Sequence, residues 1–215
     1  MQLDLRQPTI VIAGAFNPAI FSLSWIANIL FDVPEGQDVE GVMVQDMGQA
    51  NPRSYIGKVG VSADANRLSV FIDDLSSETL ATAERVAVNA ARNLPHTPVG
   101  GYGINFQFLE PDIDAQVADM FALADHPERI GQVLQTTVAS AIQFEDAVVL
   151  NLSRGLNGGD LIATFNFHAE LANFAAMADA LGGILAKRLD SAKTILKTLY
   201  EFDVDDLEIR SALNK

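Results

Sequence analysis

The sequence predicts an α+β fold in which helices cover a mainly antiparallel sheet, arranged as a tandem duplication of a β-α-β-β-β-α unit. Three observations predict this fold. Short segments of alternating apolar residues lie between turn signals, as in antiparallel strands. Longer segments carry apolar residues at helical spacing, and the order of all these elements repeats after about 92 residues. The predicted halves are residues 1–96 and 97–215.

The first half begins with a predicted strand over residues 9–16 and a helix over 19–30, with Pro18 in the first turn of that helix. Three strands follow, over 39–45, over 55–62 and from residue 68 onward, with a hairpin signal at 63–66 between the last two. Ser77 is the predicted N-cap of the closing helix. That helix ends at Leu94, because a proline disfavours helix in the residue before it.

The second half repeats this order. Its predicted strands cover residues 102–108, 132–144, 147–153 and 161–167, with a turn or bulge at 145–146 and a turn at 155–160. A helix is predicted over 114–124, and a long one runs from Asn173 to Leu199, in which Gly182 and Gly183 indicate either a kink or close packing. The acidic tail that begins at Glu201 is predicted to form a short helix.

The evidence for duplication is the alignment of elements, since the two halves share little direct identity. Ile12 and Phe16 fall opposite Ile104 and Phe108, and the strand from residue 68 falls opposite the strand from residue 161. An accidental match of two α+β halves remains the alternative. The predicted architecture resembles the duplicated folds of TATA-binding proteins and sliding-clamp domains. That resemblance implies a clamp-like DNA-associated protein as one functional hypothesis.

Composition excludes several classes of function. The 14 basic residues are outnumbered by 28 acidic residues, giving a net charge of −14. This balance disfavours nucleic acid as a partner, except through a local basic patch. The absence of cysteine excludes disulfides, thiol catalysis and zinc sites built on thiolates. No apolar run approaches the roughly 18 residues that indicate a membrane-spanning helix, so we expect a cytoplasmic protein with no membrane partner.

One short motif resembles the active-site opening of a large family of nucleotidyltransferases. Gly14, Phe16, Asn17 and Pro18 match that family's pattern. Its two phosphate-binding histidines would fall at Ile20 and Leu23, which offer no hydrogen-bond donor to a phosphate. The predicted antiparallel hairpins also disagree with the parallel sheet of that family. We therefore interpret Gly14 as a site of close approach or a bulge, and Asn17-Pro18 as the start of a helix.

The remaining polar residues give one candidate ligand site. His96 lies in a loop that leads into the strand of Tyr102 and Asn105, and a pocket there would indicate a small-molecule-binding protein or an enzyme. The other histidines, His126 and His168, are distant in sequence, and no pair has the spacing of metal ligands on a helix. The sequence therefore predicts no metal site, no cofactor and no catalytic residue.

A second candidate site is a basic face on the two long helices. If both helices line one surface, a basic stripe would lie on an acidic body, as a clamp around DNA requires. A solvated helix face with local charge pairs is the simpler interpretation. The residues of this predicted face are Arg85, Arg92, Lys187, Arg188, Lys193 and Lys197.

The preferred interpretation is a non-catalytic protein-interaction or structural protein that forms a homo-oligomer. It depends on two observations. The sequence has no catalytic motif, and its apolar strands and long apolar helix offer more surface than one small layer of structure can cover. The expected partner is a second copy of the chain or another protein. The alternatives are the small-molecule-binding protein or enzyme and the clamp-like protein.

Overall fold

The computed structural model describes residues 1–45, 52–122 and 131–213, and its centre is a mostly antiparallel sheet of eleven strands. The strands are β1 (Gln2–Asp4), β2 (Ile10–Gly14), β3 (Gly41–Val44), β4 (Arg53–Ile56), β5 (Val59–Ala63), β6 (Arg67–Ile72), β7 (Val99–Glu110), β8 (Gln135–Glu145), β9 (Val148–Asn157), β10 (Asp160–Glu170) and β11 (Glu208–Arg210). This arrangement confirms the α+β class.

Two long helices and several short ones accompany the sheet. The α-helices are α1 (Leu23–Trp25), α2 (Ser77–Asn93), α3 (Ala115–Asp119), α4 (Met177–Ala180) and α5 (Ile184–Tyr200). A π-helical turn over Ile26–Leu30 continues α1, and 3-10 turns cover Pro18–Ile20 and Phe174–Ala176. No helix among the described residues is long and apolar enough to cross a membrane.

The two predicted halves meet in the middle of a single sheet. The strand order is β3-β4-β5-β6-β2-β7-β10-β9-β8, and the antiparallel pair β2–β7 joins the halves. Beside this path, β1 pairs with β7, and β11 pairs in parallel with β1. The outer strands are β3 at one end and β8 at the other.

Alternation along the strands divides the sheet into two faces. On one face, α2 packs on β5 and β6, and α5 packs on β7. Apolar residues of the central strands are buried there, among them Ile10, Val70, Ile104 and Phe167, which oppose one another across four strands. The neighbouring residues point to the second face, where Asn105, Gln107, Asn166 and His168 are half-buried. We call this second face the polar face.

The stretch from Gly14 to Pro18 has the structural role that its residue types indicate. The register of β2 against β7 shifts at Gly14, and a Cβ atom there would lie 2.6 Å from the carbonyl oxygen of Pro98. The side chain of Asn17 accepts a hydrogen bond of 3.1 Å from the backbone N–H of Ala19. Pro18 then begins a 3-10 turn, so the helix predicted over 19–30 is broken into short 3-10, α and π pieces.

Several predicted boundaries were wrong. The strand predicted over 55–62 is a hairpin, because Gly57 adopts a positive φ of 58° and reverses the chain between β4 and β5. The N-cap of α2 is Ser76, whose hydroxyl accepts a hydrogen bond from Thr79 N. The acidic tail forms β11 rather than a helix, since β1 offers it a strand to pair with.

Other predictions were correct only in part. The long helix predicted from Asn173 to Leu199 is not continuous, because Leu181 is extended and Gly183, with a positive φ of 72°, separates the short α4 from α5. The turn or bulge predicted at 145–146 is found as two neighbouring features, a register shift between Gln143 and Glu145 and a turn at residues 146–147. The helix predicted over 114–124 is too long, since α3 ends at Asp119 and a turn follows at residues 120–121.

Candidate functional site

The structure does not bring the three predicted ligand residues together. His96 is exposed in the loop between α2 and β7. Tyr102 is buried against the helices, where burial raises the pKa of its hydroxyl. Asn105 lies three residues further along β7 and therefore points to the polar face. Tyr102 and Asn105 cannot line one pocket, because residues at odd spacing in a strand face opposite ways.

Asn105 belongs instead to a ladder of amides across three strands. Its Oδ1 accepts a hydrogen bond of 2.7 Å from Asn166 Nδ2, and Asn151 Nδ2 donates to Asn166 Oδ1 at 2.9 Å. Asn105 Nδ2 donates to the carbonyl oxygen of Pro8 at 3.2 Å. Gly103 leaves room for the ladder, because a Cβ atom there would clash with Asn166 Nδ2. These amides satisfy one another, as polar groups within a folded structure usually do.

A small pocket adjoins Asn105 on the polar face. Its volume is about 150 Å³, below the roughly 300 Å³ at which small-molecule sites begin. The lining residues come from the end of β1 and the connection to β2, and from β7 and β10: Asp4, Leu5, Gln7, Pro8, Thr9, Asn105, Phe106, Gln107 and Thr164.

A larger groove lies between the two long helices, with a volume of about 520 Å³. Leu80 of α2 and Leu189 of α5 form part of its apolar wall, and Lys193 lies at its margin. Glu84 also lines the groove, but its two carboxylate oxygens each accept a hydrogen bond of 2.7 Å from the backbone N–H groups of Gly183 and Leu185. The one buried carboxylate of the groove therefore serves as the cap of α5.

The predicted basic face loses Arg188 to the interior. Arg188 is 3% exposed and makes two hydrogen bonds to Glu145, of 2.9 and 2.7 Å. Its guanidinium lies over the rings of Phe144 and Phe167, at 5.3 and 5.5 Å from their centroids. Arg188 lies on the side of α5 that faces the sheet, where the carboxylate of Glu145 accepts both hydrogen bonds of its guanidinium.

Carboxylates also hold two more of the predicted cations. Lys187 Nζ is 3.0 Å from Glu145 Oε1, and Arg85 Nε is 3.9 Å from Asp32 Oδ2. Hydrogen bonds from Arg188 and then Lys187 hold the pKa of Glu145 at about 2, below its ordinary value of 4.5. Arg92 and Lys197 are exposed on their helices.

The histidines do not assemble a metal site in the described part of the chain. His168 lies on the polar face of β10, beside Gly101 and opposite Gly103. His126 lies outside the described residues. The described residues hold no group of three or more His, Cys, Asp or Glu side chains placed to bind a metal ion.

The most unusual surface is the outer edge of β8. This strand has eleven residues, and no described strand pairs with its outer side. No charged residue occurs from Gln132 to Phe144. Apolar side chains are exposed beside it: Leu134 is 72% exposed, and Val133 and Ile142 are each 42% exposed. The pattern predicted a strand here, but alternation alone does not show that a strand lies at an edge.

The sequence matches no protein-family model, and no curated protein is similar to it at a significant level. The functional argument therefore depends on this chain's own surfaces.

Proposed function

We propose that this protein is a non-catalytic interaction protein that self-associates through the outer edge of β8. The observation that carries the proposal is the length of the unpaired, uncharged strand at that edge. An edge strand presents a row of backbone N–H and C=O groups that another strand can pair with. At eleven residues, β8 is about twice the length of a usual strand.

The protections that natural proteins give to edge strands are missing over most of β8. Such edges usually carry lysines, prolines or inward-pointing charges, or are interrupted by bulges. β8 has none of these residues before Glu145, and its register shift against β9 comes only after Gln143. We call the regular part of the strand, residues 135–143, the open edge. An open edge of this kind in a folded protein favours a partner strand.

Charge supports pairing at the open edge. The chain carries a net charge of −14, so two copies repel each other over most orientations. The open edge has no charge, and the acidic residue at its end, Glu145, is neutralised by Lys187 and Arg188. The open edge is therefore a surface on which two acidic molecules can meet without opposing like charges.

The test is a pair of charges on the open edge. Thr137 and Ala141 are exposed on the polar face of β8. We expect the wild-type chain to sediment as an assembly and the Thr137→Lys/Ala141→Lys variant to sediment as a 23.1 kDa monomer, because lysines on an edge strand oppose strand addition.

The control is Ala172→Lys/Ala175→Lys, which adds the same charge at exposed positions after β10 and should leave the assembly intact. Sedimentation velocity of the three proteins decides the matter. A monomeric wild type, or an assembly that the open-edge lysines leave unchanged, would contradict the proposal.

We also propose that the two halves arose by duplication, as the repeated order of elements predicts. In support, the strands β2 and β7 lie at the centre of the sheet, and in each half the later strands return from the edge toward the centre, in the order β4-β5-β6 or β8-β9-β10. The first half has one further strand, β3, outside β4. A helix of 17 residues follows the strands of each half, and in the second half β11 comes after that helix. A poor strand-for-strand superposition of the two halves in an experimentally determined structure would contradict this proposal.

A further inference from the structure

We infer that the partner strand at the open edge is β8 of a second copy, paired antiparallel about a two-fold axis at Ala139. This inference rests on the proposed function, and it adds the symmetry, the register and the subunit number of the assembly. It makes the assembly a closed dimer rather than a ring or a filament.

The face that each residue occupies restricts where the axis can lie. Directly opposed residues in a sheet point to the same face. A two-fold axis perpendicular to the sheet must therefore pass between two identical residues. Such an axis also keeps the helical layers of both copies on the same side, so the sheet and its covering helices continue across the dimer.

The length of the regular strand selects the residue on the axis. The open edge ends at Gln143, because the register shift beyond it interrupts the ladder. Ala139 is the midpoint of residues 135–143, so an axis there gives every residue of the open edge an opposite residue. Moving the axis to Val138 or Ser140 leaves two residues of each strand unopposed.

The residues that this axis brings together are compatible on both faces. On the polar face, Gln135 opposes Gln143, Thr137 opposes Ala141, and Ala139 opposes itself, as the order of residues in β8 requires. On the opposite face, which the helices cover, Thr136 opposes Ile142, and Val138 opposes Ser140. No opposed pair carries a charge, and the exposed Ile142 gains a β-branched neighbour, a pairing that stabilises sheets.

The strand's self-complementarity distinguishes a second copy from another protein as the occupant. A strand of another protein would need side chains that are compatible with those of β8. In the two-fold arrangement, β8 of the second copy already provides compatible side chains at each opposed position. The axis at Ala139 also places the smallest side chains of the polar face, Ala139 and Ala141, at or near the centre of the contact. Alanine at the self-opposed position therefore places no bulky side chain against its own copy.

Cysteine crosslinking tests the axis directly, because the chain has no cysteine of its own. Opposed Cα atoms in an antiparallel pair are about 4.5–5.5 Å apart, within the range that a disulfide spans. We expect Ala139→Cys to form a disulfide-linked dimer under mild oxidation. Ala141→Cys is the matched control, since each copy of residue 141 would oppose residue 137 and lie about 13 Å from its counterpart.

Reversing the sign of one introduced charge provides a second test, in which the strength of the dimer is measured. Residues 137 and 141 oppose each other across the axis, so the Thr137→Lys/Ala141→Lys variant places like charges opposite twice. We expect its dimer to be at least about tenfold weaker than that of the wild type. Thr137→Lys/Ala141→Glu places opposite charges at the same positions and should restore dimerisation.

The outcomes separate this inference from the proposed function. If lysines on the open edge disrupt the assembly, but the exchanged pair does not restore it and Ala139→Cys does not crosslink, self-association through β8 stands and the two-fold register is overturned. Equal crosslinking at residues 139 and 141 would indicate parallel strands and would also overturn it. An assembly that the open-edge lysines leave intact overturns both.

Discussion

Glu145 ties the end of β8 to the helical layer. Its carboxylate receives two hydrogen bonds from the buried Arg188 and one from Lys187, both on α5. The guanidinium matches the carboxylate in a paired geometry, which is the strongest form of such a contact. The sequence analysis wrongly assigned Arg188 to a basic surface. The presence of a charge does not show which side of a helix faces the core.

The Glu145→Gln substitution should lower the free energy of unfolding by about 2 kcal/mol at neutral pH, since it leaves Arg188 buried without its charged partner. The effect should depend on pH. Because the folded pKa of Glu145 is about 2 and its ordinary value is 4.5, the stabilisation is complete above pH 4.5 and is lost as the pH falls toward 2.

Urea unfolding of the wild type and the Glu145→Gln variant between pH 2 and 7 measures this dependence. The two proteins should converge at the acidic end of the series. Asp146→Asn, at the exposed neighbouring residue, is the control and should follow the wild type. A difference between wild type and Glu145→Gln that stays constant with pH would contradict the role of the ionised carboxylate.

At the scale of elements, α5 lacks a side-chain cap of its own. It begins after Gly183, which has no side chain to accept from the first backbone N–H groups. Glu84, in the middle of α2, supplies the missing acceptor to Gly183 N and Leu185 N. A negative charge at a helix N-terminus also interacts favourably with the helix dipole. The cap therefore links the long helix of one half to the long helix of the other.

The Glu84→Gln substitution should lower the free energy of unfolding by about 1–2 kcal/mol, because the amide keeps only one acceptor oxygen and no charge. Denaturant unfolding measures the change, and amide exchange in the first turn of α5 should increase with it. Glu170→Gln, at an exposed position at the end of β10, is the matched control. Equal stability of the two variants would contradict the capping role of Glu84.

The strands show where element prediction succeeded and where it failed. The strands around Phe106 and Phe165 were predicted correctly, because alternation is strong where one side of a strand packs against helices. The turn at Gly57 was missed, although Gly57 and Lys58 interrupt the apolar residues of the run from 55 to 62. The same alternation predicted β8 but not its position at the edge of the sheet. β8 lies at the edge because β9 is the only described strand that pairs with it.

At the scale of the whole molecule, the net charge opposes self-association, whereas the open edge favours it. Each chain carries a charge of −14, whereas the open edge is uncharged. Salt screens repulsion between whole molecules and has little effect on an apolar, hydrogen-bonded contact. Self-association should therefore strengthen when the NaCl concentration rises from about 0.05 to about 0.5 M. Sedimentation equilibrium at several salt concentrations measures this, and weaker association at high salt would mean that ion pairs hold the contact.

The sequence by itself determined the class of fold, most of the strands, the position of α2, the end of α5 and the excess of acidic residues. Each of these is a local property: apolar periodicity, a proline or glycine at a turn, or a count of charges. The residues around Asn17 and Pro18 show this well, since a cap and a proline form a turn whatever lies elsewhere in the chain.

Only the tertiary structure decided which surfaces are available for function. It placed Tyr102 and Asn105 on opposite faces, turned Arg188 inward to Glu145, and left β8 without an outer neighbour. Each of these depends on contacts between residues distant in sequence. The physical reason is that strand order and helix rotation are decided by which apolar surfaces pack together, and this packing is a property of the whole chain.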